Sequence, residues 1–166
     1  MDSEAKVELR RLLSEIVKAD NLKAKFDLCE QAYPHLETFI ADEDQGVFEA
    51  YPVVEHLARC YAATLNADGV RRICELIYSG DPSLAFGAFV AKRAVTELEY
   101  ANEVLHFVNA YPGITQFAAR EQLKIPKSDM ANVLRYMEAF GLIRRTPTSM
   151  TNRLYPVSFT EGEAGS

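Results

Sequence analysis

Apolar residues return at helical spacing along most of the chain. Between residues 128 and 140, four of them fall at the i, i+3, i+4, i+7 positions of one helical face: Met130, Val133, Leu134 and Met137. Similar stripes predict helices over residues 3–19, 22–33, 52–65, 96–111 and 115–123, with two more that end at residue 78 and run from residue 82 into the nineties. Pro34 is expected to interrupt the second of these helices or to start a short one.

Residues with strong backbone preferences mark the ends of the last two helices. Thr115 and Ser128 are predicted N-caps, because a side-chain oxygen can accept hydrogen bonds from the free N–H groups of a first helical turn. Pro126 disfavours helical geometry at Ile125 and so marks the break between the two helices. Gly141 is predicted to end the second helix, since glycine adopts the left-handed conformation most easily.

The sequence also predicts the core residues of the helix at 115–123 and the first residues of the helix that begins at residue 82. The helix at residues 115–123 is expected to place Phe117, Ala118 and Leu123 in a small core shared with the next helix. Asp81 and Pro82 are predicted to be the N-cap and first residue of the helix that runs into the nineties.

After Gly141 the hydrophobic period changes from helical to alternating. Residues 142–146 and 153–159 are short and rich in β-formers, and the polar run at 147–152 between them is typical of a turn. The end of the chain is therefore predicted to form a β-hairpin. The fold class that follows is mainly α, with a small hairpin after the last helix.

The run SDMANVLRYMEAFGLIRR, from Ser128 to Arg145, resembles the recognition helix and first wing strand of winged helix-turn-helix regulators, especially the MarR-like kind. The resemblance covers residues 97–159 and implies a helix-turn-helix followed by a β-hairpin wing that binds DNA. Asn132 stands where that family often has arginine. Phe140 stands where it often has a charge, so Phe140 is expected to contact another domain or subunit.

The length of 166 residues allows one good-sized domain or two small ones. We predict a helical dimerisation, sensor or interaction domain over residues 1–94, the winged helix-turn-helix over 95–160, and a disordered tail over 161–166. No apolar run approaches the roughly 20 residues of a membrane helix. The mixed charges at the N-terminus do not suit a signal peptide, so a cytoplasmic protein is expected.

Charge is distributed unevenly along the chain. The formal net charge is −6, but residues 112–159 carry seven basic and three acidic residues, a net +4. Residues 1–111 carry 11 basic and 19 acidic residues, a net −8. An acidic body with a basic end suits a protein that meets DNA with one surface only.

The resemblance and the basic residues together indicate a DNA-contacting set. Solvated surface side chains are the simpler explanation for any single lysine or arginine, but these residues belong to the elements that would dock. The predicted DNA-binding residues are Thr115, Gln116, Lys127, Ser128, Ala131, Asn132, Arg135, Arg144, Arg145, Thr148, Ser149 and Arg153.

The sequence contains one candidate metal-binding pair and no catalytic motif. His56 and Cys60 are four residues apart on a predicted helix and could share a metal with Cys29, His35 or Cys74, but an exposed histidine beside a buried thiol is the more ordinary interpretation. The chain has no phosphate-binding glycine loop, nucleophile elbow or zinc-protease motif. We therefore expect no enzyme activity, no cofactor and no metal. The three cysteines are expected to be reduced and buried.

Two functions remain open at this point. The first is a sequence-specific transcriptional regulator that binds double-stranded DNA as a homodimer, with a small-molecule effector as a further candidate partner and no membrane contact. The second is a helical scaffold that uses its winged domain for protein contacts, an arrangement similar in order to PCI-type assembly proteins. Basic residues on one open face would favour DNA, whereas pairing with N-terminal acids would favour the scaffold.

Overall fold

A computed structural model describes residues 4–42, 46–79 and 85–158. These residues form seven helices and three short strands in the order α1 (Glu4–Lys18), α2 (Leu22–Asp42), α3 (Gly46–Ala63), α4 (Ala67–Ser79), α5 (Ala85–Ala110), β1 (Ile114–Thr115), α6 (Gln116–Leu123), α7 (Lys127–Ala139), β2 (Ile143–Pro147) and β3 (Asn152–Pro156). The predicted mainly α fold with a small C-terminal hairpin is confirmed. Within the described ranges, no helix combines the length and apolar character needed to cross a membrane.

Two predicted helix boundaries at prolines were wrong. Pro34 lies inside α2, and Pro52 lies inside α3, which begins at Gly46. A proline inside a helix removes one backbone hydrogen bond. In α2 the ring is exposed, and Ala32 and Leu36 on either side are fully buried in the core. Packing of those neighbours therefore outweighs the local preference of the proline.

The helix predicted to run from residue 82 and the helix predicted over residues 96–111 form one continuous helix, which is one of the two possibilities that the sequence left open. α5 is continuous over 26 residues from Ala85 to Ala110. Val90, Ala94, Ala101, Val104 and Val108 are buried along its length. The expected start of this helix at Asp81 and Pro82 lies outside the described residues, as do residue 159 and the predicted tail at 161–166.

Two buried clusters share the helices α3 and α5. One cluster joins α1 to α5 around Leu9, Leu36, Leu57 and Ile73. The other joins the last two helices and the hairpin, and it takes Cys60 from α3 and Val104 from α5. The C-terminal unit is therefore packed against the N-terminal helices, and the boundary at residues 94 and 95 stays a prediction.

Phe140 forms part of this junction. Its half-buried ring meets that of Phe26 in α2 edge-on, with centroids 5.4 Å apart and planes at 84°. Phe140 therefore contacts a helix of the N-terminal part of the chain, and the expected contact with a separate domain or subunit stays a prediction. An aromatic residue is suited to this position because edge-to-face pairs are favourable beyond the area they bury.

The three strands form an antiparallel sheet in the order β1-β3-β2. Ile114 faces Leu154, and Arg144 and Arg145 face Tyr155 and Leu154 in turn. Because cross-strand partners point to the same side of a sheet, Arg145 shares the inner face with Leu154, whereas Arg144 lies on the opposite face.

Gly69 allows a close contact between α4 and α3. A Cβ built at this residue would lie 2.5 Å from the ring of Tyr61. That ring is buried, and its hydroxyl donates to the carboxylate of Glu30, so it cannot move away easily. We expect Gly69→Ala to lower the free energy of unfolding by about 1–3 kcal/mol, despite the better helix propensity of alanine.

Urea denaturation followed by circular dichroism would measure this loss. Ala67→Gly, at an exposed position in the first turn of α4, provides the control for helix propensity. A Gly69→Ala protein as stable as the wild type would show that the packing of α4 against Tyr61 is looser than described.

Candidate nucleic-acid interface

The turn between α6 and α7 is built from well-defined caps. The Thr115 hydroxyl accepts a hydrogen bond from the Ala118 N–H at 3.1 Å, which confirms Thr115 as the N-cap of α6. The C-cap of the helix is Lys124, which is in the left-handed conformation with φ 55° and donates its N–H to the Arg120 carbonyl. Ile125 is buried in the turn and ties it to the core.

The N-cap of α7 lies two residues earlier than the sequence predicts. Pro126 is its N-cap, and no side chain caps the helix; Ser128 lies in the first turn instead. The prediction of Ser128 as the N-cap was therefore wrong. Proline has no N–H and a φ of −56° here, so it suits the start of a helix, and its carbonyl accepts from the Met130 N–H at 2.9 Å. Ser128 is left exposed on the outer surface of the helix.

The helix α7 has one buried and one exposed face. Its buried residues are Met130, Val133, Leu134, Tyr136 and Met137, which confirms the predicted apolar stripe. Its exposed residues are Lys127, Ser128, Ala131, Arg135 and Glu138. Asn132 is half-buried at the edge between the two faces. Gly141, at φ +75°, follows the helix in the left-handed conformation, as predicted.

Three arginines of the hairpin have different surroundings. Arg145 is bound to Glu138 of α7 through its guanidinium at 3.0 Å and its backbone N–H at 3.2 Å. Arg153 donates to the Gly113 carbonyl at 2.7 Å. Arg144 lies over the ring of Tyr155, 5.0 Å from its centroid. Arg145 therefore joins the hairpin to α7, while the other two guanidinium groups belong to exposed side chains.

The tip of the hairpin is closed by its own hydrogen bonds. The Thr148 N–H and hydroxyl both donate to the Thr151 carbonyl, at 2.7 and 2.6 Å, and the Thr151 N–H donates to the Thr148 hydroxyl at 3.2 Å. Met150 projects from this turn and is 95% exposed. At the base of the tip, the Asn152 amide donates to Gln116 at 3.3 Å, which links the hairpin to the start of α6.

A groove of about 610 Å³ lies between the start of α6, the outer face of α7 and the hairpin tip. Its walls are formed by Thr115, Gln116, Phe117, Arg120, Lys127, Ala131, Met150 and Thr151. Two cations, Arg120 and Lys127, therefore stand beside two exposed apolar side chains, Phe117 and Met150. We refer to this feature as the α6–α7 groove.

The structure brings only part of the predicted DNA-binding set to this groove. Thr115, Gln116, Lys127 and Ala131 line it. Ser128 and Arg135 lie on the same exposed face of α7, where Arg135 stacks on the ring of Tyr136 at 5.4 Å. The remaining members are Asn132, Arg144, Arg145, Thr148, Ser149 and Arg153, which lie at the edge of α7 and on the hairpin.

Sequence reasoning missed Phe117, Arg120, Met150 and Thr151 as groove residues. The expectation that Phe117 is a core residue was wrong, because its side chain is 59% exposed and Ala119 is buried instead. Ala119 and Leu123 are four residues apart and share the inner face of α6, which turns Phe117 outward. The sequence offered no signal that selects this face, because the choice depends on which side of α6 meets the core.

Two ion pairs among the described residues of this unit are local. Arg120 lies 3.5 Å from Glu121 and over the ring of Phe117, and Arg145 pairs with Glu138. Both carboxylates belong to the C-terminal unit itself. These contacts do not follow the pattern of basic side chains paired with N-terminal acids.

A second polar cluster lies where α7 meets α3. His56 is only 8% exposed, so the expectation of an exposed histidine was wrong. Its ring nitrogens lie 3.1 Å from the Tyr136 hydroxyl, 3.3 Å from the Leu22 carbonyl and 3.4 Å from the Cys60 sulfur. Burial lowers the pKa of His56, which keeps the imidazole neutral near pH 7.

Two of the three cysteines are buried and protonated. Cys29 and Cys60 are buried, as predicted, while Cys74 is half-buried. Burial raises the pKa of Cys29 to about 12 and raises that of Cys60 as well, so both are protonated thiols. Within residues 4–42, 46–79 and 85–158, His, Cys, Asp and Glu side chains form no group of three that could hold a metal ion.

A partly buried ion cluster around Glu97 crosses from α3 to α5. Glu97 is 4% exposed, and its Oε1 lies 3.8 Å from Arg59 Nε and 3.9 Å from Arg93 Nε. Arg93 and Arg59 also reach Glu55, at 2.9 and 3.3 Å. Burial raises the pKa of Glu97, and the two guanidinium groups oppose that rise. In the described part of the chain, Arg59 Nε and Glu97 Oε1 make no hydrogen bond.

The chain was compared with protein-family models, with curated proteins and with solved structures. None of the three comparisons gave a match.

Proposed function

We propose that this protein is a sequence-specific DNA-binding transcriptional regulator with a MarR-like winged helix-turn-helix over residues 95–160. The observation that carries this proposal is the α6–α7 groove, which lies in the part of the chain with a net charge of +4. A helix with an exposed polar face beside a hairpin is the arrangement that winged domains use to meet a duplex.

The exposed face of α7 suits the major groove. Ala131 is small enough to allow close approach, and Lys127 and Arg135 lie four residues on either side of it. An arginine can form a bidentate pair with guanine, and Asn132 at the edge of the face can do the same with adenine. Each such pair discriminates against a wrong base by about 1–3 kcal/mol.

The start of α6 offers donors for a phosphate. The Thr115 oxygen already accepts from the helix, but its hydroxyl hydrogen can still be donated. Gln116 uses its carbonyl oxygen to accept from Asn152, which leaves its amide N–H groups able to donate to a phosphate. With Arg120 and Lys127 in the same groove, these groups would fix the orientation of the backbone.

A single winged helix-turn-helix covers only a short stretch of DNA. Single recognition modules bury roughly 600–1,000 Å² of protein surface, whereas dimers reach two half-sites about one helical turn apart. We therefore propose a homodimer that reads a palindromic site.

The salt dependence of binding tests the proposal. We expect the protein to bind double-stranded DNA and heparin with an affinity that falls linearly in log–log form as salt rises, because phosphate contacts release counterions. Arg135→Ala should weaken binding to a selected duplex by about 5- to 150-fold, the equivalent of one base pair contact. Fluorescence anisotropy over a salt series would measure both effects.

Lys18→Ala is the matched control, since it removes one exposed positive charge from α1 in the acidic part of the chain. It should leave DNA affinity nearly unchanged. Equal affinities for the Arg135→Ala and Lys18→Ala proteins would rule out the docking of α7, and a complete lack of retention by DNA and heparin would reject the function.

A protein-binding scaffold of the PCI-like kind is the second candidate. It is favoured by the exposed apolar side chains of Phe117 and Met150 at the α6–α7 groove, which a protein partner would bury. A Phe117→Ser, Met150→Ser protein would then lose its partner while keeping its affinity for heparin. For the regulator, we expect Arg135→Ala to weaken the binding of DNA.

A further inference from the structure

Apolar side chains from three elements line the α6–α7 groove. Phe117 of α6 is 59% exposed, and Met150 at the hairpin tip is 95% exposed. Ala131 adds a methyl group from the exposed face of α7. A single exposed apolar side chain needs no explanation, but three that line one groove indicate a ligand with an apolar surface.

The same groove carries positive charge that is not fully neutralised. Among the described residues that line it, none is acidic. Arg120 has the exposed Glu121 3.5 Å away, whereas Lys127 makes no ion pair within the described ranges. The ligand that fits this groove therefore has an anionic part next to its apolar surface.

A fully paired duplex matches the cations better than it matches the apolar side chains. It presents phosphates, sugars, base edges and thymine methyl groups, while the flat face of each base is hidden between its neighbours. An unpaired base has a free flat face, and it can stack on an aromatic ring or on a guanidinium plane. A nucleotide with an unpaired base thus combines the two properties that the groove indicates.

The ring of Phe117 is a fixed platform for such a base. The Arg120 guanidinium lies over the ring, 5.3 Å from its centroid, and Ala119 holds the inner face of α6 in the core. The start of the helix is fixed by the bond from the Ala118 N–H to the Thr115 hydroxyl. Because Phe117 stays 59% exposed beside Arg120, it retains open surface on which a base can stack.

The size and the polar groups of the groove suit one nucleotide. Its volume of about 610 Å³ lies within the roughly 300–1,000 Å³ of sites for small organic ligands. The amide N–H groups of Gln116 can donate to an acceptor on the edge of the base, since its carbonyl oxygen already accepts from Asn152. Lys127 can bind the phosphate.

We propose that the α6–α7 groove binds an unpaired nucleotide within or at the end of a DNA duplex. The base stacks on Phe117 and contacts Met150, and the phosphate lies toward Lys127. This inference rests on the proposed DNA-binding function and specifies its substrate: a bulged or frayed duplex is bound more tightly than a fully paired one.

The test compares two labelled DNA probes in anisotropy titrations with the full-length protein. One probe is a fully paired duplex, and the other is the same duplex with a single bulged 2-aminopurine. We expect the bulged probe to bind about 5- to 150-fold more tightly, which is the usual contribution of one base stacked on an aromatic side chain. The fluorescence of 2-aminopurine should fall on binding, because stacking quenches it.

Variants of Phe117 identify the platform. Phe117→Leu keeps an apolar side chain without an aromatic face, so it should abolish most of the preference and the quenching. Its affinity for the paired probe and the salt dependence should stay nearly unchanged, because stacking releases no counterions. Phe117→Tyr should retain the preference.

Phe89→Leu is the matched control. Phe89 is 55% exposed and also has an arginine over its ring, Arg93 at 5.2 Å, but it does not line the α6–α7 groove. Its replacement should leave the preference for the bulged probe intact. Melting curves from circular dichroism would verify that both leucine variants are folded.

The outcomes separate this inference from the function on which it rests. Equal affinities for the two probes would overturn the inference and leave the regulator standing, as would equal effects of Phe117→Leu and Phe89→Leu. Binding of the bulged probe alone would support the inference and reject a regulator that reads paired DNA. Binding of neither probe would reject both.

Discussion

Replacing Leu134 by alanine is expected to remove about 3–5 kcal/mol from the free energy of unfolding. Leu134 is fully buried and lies in the cluster that holds α7 against α3, α5 and the hairpin. Its removal leaves a cavity between elements that cannot close together without moving the sheet. Since small domains are stable by only roughly 5–15 kcal/mol, a large part of the total would be lost.

Guanidinium denaturation at constant pH would measure the loss for Leu134→Ala. Leu105→Ala is a matched control, because Leu105 is a partly buried leucine against the same cluster. Its loss should be clearly smaller. Similar losses for the two variants would mean that α7 is not held by the packing described for its inner face.

Arg59→Met is expected to destabilise the folded protein by about 3 kcal/mol at neutral pH, through Glu97 rather than through lost packing. Glu97 is buried, and Arg59 and Arg93 are the two cations that stabilise its charge. Removing one of them leaves a buried carboxylate with weaker compensation. Arg93 still remains 3.9 Å away, which keeps the cost at the lower end of the range for broken buried pairs.

The pH dependence distinguishes this cause from a packing defect. The folded pKa of Glu97 is already raised above its ordinary value of 4.5, and the loss of Arg59 should raise it further. The folded state then binds more protons than the unfolded state above pH 4.5, so stability falls as pH rises through that window. The deficit of Arg59→Met relative to the wild type should thus grow between about pH 5 and 8 and shrink in acid.

Two controls accompany this measurement. Adding Glu97→Leu to Arg59→Met removes the uncompensated carboxylate and should recover much of the stability. Arg71→Met removes a guanidinium whose pairs with Asp68 and Glu75 are exposed, and it should change stability by less than about 1 kcal/mol. A pH-independent deficit for Arg59→Met would contradict the role assigned to Glu97.

Local patterns were sufficient for the elements of the C-terminal unit. The spacing of Met130, Leu134 and Met137 correctly predicted the inner face of α7. Thr115 was correctly predicted as the N-cap of α6, and Gly141 as the left-handed residue after α7. These features depend on side chains and backbone preferences within one or two turns, so they are encoded in contiguous residues.

Several features of the candidate interface depend on distant residues. The bond between Arg145 and Glu138 and the link between Asn152 and Gln116 join elements that the sequence lists as separate. Phe117 is exposed because the face of α6 that contains Ala119 is the one that packs against the core. Hydrophobic residue type alone cannot make that choice, because it depends on which face meets the core.

The sequence by itself determined the mainly helical composition, the helix–turn–helix–hairpin order of the last 50 or so residues, and the separation of a basic end from an acidic body. Tertiary structure alone decided that helices continue through Pro34 and Pro52, that His56 is buried against Tyr136, and that Phe117 lines the α6–α7 groove. The physical reason is that helix periodicity and capping act between near neighbours, whereas burial, partner choice and cavities arise only when surfaces far apart in the chain are packed together.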